Sequence, residues 1–211
     1  MIARLFKNED VTELAENSTV PVINALDDRA HPTQIVADLL TIKEKLGTFE
    51  GLKFVYAGDC ENNVTYSLME GCTMLGMDVW VTGPKEMLPK EEMVKKSNKL
   101  AEQYGGKLTI TTDIDKAFKD ADIVYTDSWM SYHISKDEKE ARLKVLTPYR
   151  VTKGLMDTTK ENSIFMNCLP AMRGHEQTAE VIDGPKSVVF DEAENRLHAH
   201  KAIMLRLMKL A

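Results

Sequence analysis

Several short stretches carry side chains whose types and spacing could do chemistry. In Met166-Asn167-Cys168-Leu169-Pro170-Ala171 an amide, a thiol and a proline fall within six residues. The proline ends the apolar run Ser163-Ile164-Phe165-Met166. Cys168 and Leu169 therefore sit on a turn past the carboxyl end of a buried strand, the edge where open parallel sheets bind ligands. His31-Pro32-Thr33-Gln34 opens a helix, because Pro32 suits a first turn where its missing N–H has no partner. His31 and Gln34 converge there with free backbone N–H groups and the positive end of the helix dipole, which makes an anion or carbonyl-oxygen site. Arg196 lies in the first turns of the last helix, where a cation opposes the dipole and points to a ligand for it. Plainer readings stand beside these: Cys168 as a small buried apolar residue, His31 as a cap, Gln34 on the surface, Arg196 paired with Glu192 four residues earlier.

The elements that must position these residues alternate. Strands are expected over 1–6, 20–24, 53–57, 78–82, 107–111, 121–126, 163–166 and 187–190, with helices over 9–17, 32–46, 64–76, 90–104, 113–119, 135–145, 151–158 and 191–210. Helix 32–46 offers Ile35, Val36, Leu39, Leu40 and Leu46 as its packing face, and the last helix offers Leu197, Ile203, Met204, Leu207 and Met208. Strand, helix, strand in repetition implies an α/β chain with a doubly wound parallel sheet and helices on both faces. The carboxyl ends of its strands would then carry Gly58-Asp59 with Asn62 and Asn63, Asp127 with Trp129 and Ser131, and Cys168-Leu169. The first strand reads as half of a unit whose beginning lies elsewhere.

Composition narrows the function classes. The chain has 211 residues, 43% of them hydrophobic and 28% charged, with a net charge of −6 and no long basic run, which argues against nucleic acid or an anionic membrane as partner. Cys60, Cys72 and Cys168 form no C-x-x-C, which argues against a disulfide framework or structural zinc and for a reducing compartment. His198 and His200 are two apart, on different faces of a helix, and are a poor metal pair. No signal peptide or bilayer-length apolar run is visible, so a soluble, cytoplasmic protein is expected. A dinucleotide site would need a glycine-rich turn; Gly58-Asp59-Cys60-Glu61-Asn62-Asn63 has one glycine and two acids, which would repel a pyrophosphate.

Five stretches together resemble the aspartate/ornithine carbamoyltransferases, and most closely the ornithine and putrescine branch. They are Val20-Pro21-Val22-Ile23-Asn24 leading to His31-Pro32-Thr33-Gln34; Gly58-Asp59 through Asn62-Asn63; Thr126-Asp127-Ser128-Trp129; Asn167-Cys168-Leu169-Pro170; and Phe190-Asp191-Glu192-Ala193-Glu194-Asn195-Arg196. The resemblance implies transfer of a carbamoyl group from carbamoyl phosphate to ornithine or a related amine, giving a citrulline-type product and phosphate in arginine metabolism, with no metal and no cofactor. It implies that Cys168, Asp127 and Arg196 act at the reacting centre. It implies that His31, Gln34, Cys168, Leu169 and Arg196 bind carbamoyl phosphate, and that Asn63, Asp127, Ser131 and Tyr132 bind the amine. It further implies a cis Leu169–Pro170 bond and, for the full-length family, a homotrimer.

Three departures qualify the resemblance. Ornithine-specific members usually read Asp-x-Trp-x-Ser-Met-Gly, whereas this chain continues Ser131-Tyr132-His133, which leaves the amine open. Asn167 stands where a histidine is usual. The Ser-x-Arg-Thr-Arg phosphate motif of the amino-terminal domain does not occur in the sequence. The chain is therefore expected to be a carboxyl-terminal half with the carbamoyl-phosphate domain missing: 1–30 as a remnant of that first domain, 31–190 as the Rossmann-like amino-acid-binding domain, 191–211 as an interdomain helix. Alone, it is expected to turn over little or nothing. The alternative is a non-catalytic truncated relative that binds an amino acid or an interaction partner.

Overall fold

A computed structural model describes residues 1–130 and 136–209. Its elements run β1 (Ile2–Arg4), α1 (Asn8–Glu16), β2 (Ile23–Leu26), α2 (Pro32–Leu46), β3 (Lys53–Ala57), α3 (Asn63–Met74), β4 (Asp78–Thr82), α4 (Glu91–Tyr104), β5 (Lys107–Thr111), α5 (Ile114–Phe118), β6 (Ile123–Tyr125), α6 (Lys136–Leu146), α7 (Lys153–Met156), β7 (Ile164–Met166), α8 (Ala179–Ile182) and α9 (Val189–Leu207). β1 and β2 pair in parallel as a two-stranded sheet, and the main sheet has the order β5-β4-β3-β6-β7, all parallel. The α/β architecture with a parallel sheet is thus the one expected. The chain winds outward from β3 to β5, then returns to the other side of β3 for β6 and β7. This reversal leaves a crevice outside the carboxyl ends of β3 and β6, where such sheets hold ligands.

β3 explains why both faces of the sheet are covered. Its Phe54 and Tyr56 enter one core cluster, and its Val55 and Ala57 enter the other. Alternate residues point to opposite faces, so a strand apolar at every position must be buried twice. Local signals end the helices where expected. Gly47 and Gly105 take the left-handed conformation after α2 and α4, and the Asn62 side chain accepts from Thr65 N to cap α3.

One expectation fails and two are met in part. Residues 187–190 form no strand. Ser187 makes a single bridge to Phe165, and α9 begins at Val189 with Asp191 and Glu192 in its first turn. Acids there favour a helix amino terminus over a further strand. The packing face of α2 is only partly the expected one: Ile35 is buried and Leu39 and Leu46 pack on the core, but polar residues share that face. Val36 is exposed, and the buried residues include Thr33, Gln34, Asp38 and Thr41. They are buried because α2 packs on α9 and the polar groups find partners: Gln34 Nε2 donates to Asp38, and Asn195 Nδ2 donates to Thr41 Oγ1. Of the packing residues expected on the last helix, Leu197, Leu207 and Met208 are exposed. Among the described residues, no helix is long and apolar enough to cross a membrane.

Candidate functional site

The crevice is built by the loops after β3, β6 and β7. Gly58 is where the first two meet: its φ is +131°, and an added Cβ would lie 2.6 Å from Trp129 Nε1. Only glycine combines that backbone with that approach. The buried Glu176 carboxylate ties the second loop to the third, accepting from Trp129 N at 3.1 Å and Met172 N at 2.9 Å. From α6, Arg142 donates to Trp129 O and forms a close ion pair with Asp59. Neither Glu176 nor Arg142 stands out in the sequence. Each is a lone charged residue outside any motif, and only the fold reveals its partners.

The turn after β7 carries the thiol. Asn167 is fully buried: its N–H donates to Glu192 Oε2 at 3.0 Å, and its Oδ1 accepts from Leu169 N at 2.8 Å. That second bond holds Leu169 at a φ of +52°, a conformation costing a non-glycine residue on the order of 1 kcal/mol. The Leu169–Pro170 bond is cis. Cys168 Sγ donates to Asp127 Oδ1 at 3.1 Å. Burial, and then the Asp127 charge, push the Cys168 thiol well above its ordinary range, so it is a neutral donor and not a thiolate. Burial also raises the Asp127 carboxyl, opposed by hydrogen bonds from Cys168 and from Ser128 N.

Two cavities meet at this turn. One, of about 850 Å³, is lined by Asp127, Asp59, Glu61, Asp28, Asn62 and Asn63 among others. Among the described residues its one cation, Arg142, is already committed to Asp59. Asn63 Nδ2 donates to Asp27 O at 2.5 Å. A cavity of this charge suits a cationic amine. The other, of about 760 Å³, is lined by Cys168, Leu169, Pro170, Ala171, Arg196 and His200, with Ala193. Arg196 is half-buried and forms no hydrogen bond or ion pair with the described residues. Glu192, its expected helix partner, is instead fully buried against Tyr125 and Asn167 N. Behind Arg196 lies His31. Burial first, then the charges of Arg196, Arg4 and His200, lower its ring from 6.5 to about 4, so it is neutral, and its Nδ1 is buried without a partner. Gln34 is 1% exposed, not a surface residue.

The structure thus places Cys168, Leu169 and Arg196 on one cavity and Asp127 and Asn63 on the other, with His31 near Arg196 and Gln34 buried against Asp38, neither lining a cavity. Ser131, Tyr132 and His133 lie outside the described residues. The arrangement can hold an anion and an amine next to each other, with a neutral thiol and a backbone carbonyl between them.

Comparison with known proteins gives two family matches. The family model described as "Aspartate/ornithine carbamoyltransferase, Asp/Orn binding domain" matches residues 50–207, and that described as "Aspartate/ornithine carbamoyltransferase, carbamoyl-P binding domain" matches residues 1–44. The second match corrects the expectation that the carbamoyl-phosphate domain is missing: residues through most of α2 belong to it. A catabolic ornithine carbamoyltransferase of Thermoplasma volcanium is 48% identical over 207 residues, covering 97% of this chain and 67% of the relative. An anabolic ornithine carbamoyltransferase of Pyrococcus furiosus is 48% identical over 208 residues, covering 99% of this chain and 65% of the relative. The crystal structure of ornithine transcarbamoylase from Giardia lamblia superposes with a TM-score of 0.90 at 49% identity, covering 98% of this chain and 69% of that one. The chain spans about two thirds of the length of the relatives it matches.

Proposed function

Because the chain belongs to the aspartate/ornithine carbamoyltransferase family, we propose that its site serves carbamoyl transfer from carbamoyl phosphate to the side-chain amine of ornithine or a closely related amine. One observation carries this reading: a cavity with an arginine unpaired among the described residues and a cavity lined by carboxylates adjoin at Pro170, with Cys168 of the first bonded to Asp127 of the second. Arg196 takes the phosphate. Neutral His31 donates to the carbamoyl oxygen, where negative charge builds as the amine attacks. The Leu169 carbonyl and Gln34 accept from the carbamoyl N–H groups. Asp127 receives the ammonium of the amino acid, and Asn63 lines the same cavity. In the step itself a nitrogen–carbon bond forms and the carbon–oxygen bond to phosphate breaks. The proton released from the attacking nitrogen leaves on the phosphate. Cys168 remains a thiol and orients the two substrates. Residues 1–44, with His31 and Gln34, are assigned to the carbamoyl-phosphate side and 50–207 to the amine side.

The same reading predicts little turnover by the 211-residue chain alone, because no Ser-x-Arg-Thr-Arg phosphate motif accompanies Arg196. The test is carbamoyl transfer to ornithine and to putrescine, with substrate binding measured in parallel by calorimetry. Binding of carbamoyl phosphate and of one amine without sustained ureido formation is expected. Sustained product formation refutes the inactivity. Failure to bind either substrate refutes the assignment of the site.

A further inference from the structure

Beneath the turn lies a closed group of polar side chains that substrate does not reach. Asp38 from α2, Tyr125 from β6 and Glu192 from α9 are all fully buried. The Tyr125 hydroxyl is 3.2 Å from Asp38 Oδ2 and 3.0 Å from Glu192 Oε1. A phenol has one hydrogen, so it can donate to only one of the two acids and must accept from the other. One acid therefore holds a proton. Burial and the neighbouring Asp38 raise Glu192 well above the carboxylate range. Asp38 rises only to about 7, mainly by burial, and is held down by hydrogen bonds from Gln34 and Tyr125 and by the charge of Arg196. Glu192 is raised further, so it holds the shared proton and Asp38 carries the charge above that pH. Two like charges this close do not both ionise in the interior.

The anion has a consequence for Gln34. Gln34 Nε2 donates to Asp38 Oδ1 at 2.8 Å, one helical turn on, while Gln34 Oε1 is buried with no partner. A carboxylate accepts only, so Asp38 fixes which end of the amide faces away from it. What remains is an acceptor at the first turn of α2, beside His31, with no donor to satisfy it. An unmatched buried acceptor calls for a donor from outside the protein. A carbamoyl group brings one, its N–H, which inorganic phosphate lacks.

Resting on the carbamoyl-phosphate reading above, we propose that Asp38 is a positioning residue: by accepting from Gln34 Nε2 it locks the amide with its carbonyl presented to the carbamoyl N–H₂, and so makes the subsite select carbamoyl phosphate over phosphate. Tyr125 and protonated Glu192 keep Asp38 charged but unable to turn away. Through Glu192 Oε2 and Asn167 N, the same group also supports the Cys168 turn. The groups facing Asp38 are Gln34 on its own helix, Tyr125 from β6, Glu192 and Arg196 from α9, Cys72 from α3, and Cys168 from the turn. At a pH below its value of about 7, Asp38 gains a proton, can donate to Gln34 Oε1, and no longer enforces the amide's orientation.

The test is titration of the full chain with carbamoyl phosphate and, separately, with inorganic phosphate, for wild type, Gln34→Ala, Asp38→Asn and the double variant. Asp38→Asn is isosteric, and its amide can donate to Gln34 Oε1. The expected result is at least about tenfold weaker carbamoyl phosphate binding in each single variant, with phosphate affinity within twofold of wild type. Adding Asp38→Asn to Gln34→Ala should change neither ligand by more than twofold. Wild-type preference for carbamoyl phosphate should fade below pH 7, and that pH dependence should vanish in Asp38→Asn. Wild type binding neither ligand overturns the site assignment and this inference with it. Wild type binding both, with Asp38→Asn unchanged, overturns this inference alone. Equal loss of both ligands, or a further loss in the double variant, also overturns it, since Asp38 would then be merely structural.

Discussion

The two cavities flanking the Cys168–Pro170 turn differ in how burial treats their charges. On the Arg196 side, burial drives His31 to its neutral form, and Arg196 keeps its charge because a guanidinium does not deprotonate in a protein. On the Asp127 side, burial raises a carboxyl, and the local arginine, Arg142, is spent on Asp59. One subsite therefore holds an arginine with no partner among the described residues, and the other holds one that is already paired. An arginine waiting for a ligand binds anions; an arginine tied to a carboxylate shapes a loop. Position on the sheet edge does not distinguish them, but the presence or absence of a protein partner does.

The contrast can be broken from either side. Arg196→Gln removes the unpaired charge and should weaken carbamoyl phosphate by about 3–5 kcal/mol, read by calorimetry, while leaving ornithine affinity nearly unchanged. The neutral histidine is tested through stability. Its folded ring titrates near 4 and its unfolded ring near 6.5, so between those values the unfolded chain binds more protons and stability falls as the pH falls. The ceiling is roughly 3 kcal/mol. The buried acids with raised values pull the other way, so the quantity to compare is the difference between wild type and His31→Asn in denaturant melts at pH 7 and pH 4.5. The variant should lose less on acidification. Asp127→Asn keeps the shape but removes the ammonium's counter-charge, and should weaken ornithine by about 2 kcal/mol with carbamoyl phosphate unaffected. The smallest effect belongs to the paired arginine. Arg142→Gln should weaken ornithine by about 1 kcal/mol and speed hydrogen exchange at Trp129 and Met130, because it unties the loop without removing a substrate contact. If Arg142→Gln instead cost more carbamoyl phosphate affinity than Arg196→Gln, the division between free and paired arginine would be wrong.

Much of this was legible residue by residue. Pro32 and Gly47 mark both ends of α2, and the expected bounds of β3, β4 and β5 match those observed. Strand period, caps and helix stops act over a few residues, so they can be read locally. The run 187–190 misled because apolar residues begin a buried helix as readily as a strand. The face of α2 was legible only in part: Ile35 is buried and Leu39 and Leu46 pack inward as expected, but Val36 is exposed and the interior also takes Gln34, Asp38 and Thr41.

By itself, the sequence determined the order of the strands and helices as far as β7 and the chemical types near the sheet edge: Asp127, Cys168, His31, Gln34 and Arg196. Tertiary structure alone decided their charge states and partners. Arg142 meets Asp59 across 83 positions, Tyr125 meets Glu192 across 67, and Asn195 meets Thr41 across 154. A carboxyl's proton and an arginine's availability depend on what is packed around them and how far water is excluded. No spacing along the chain carries that information.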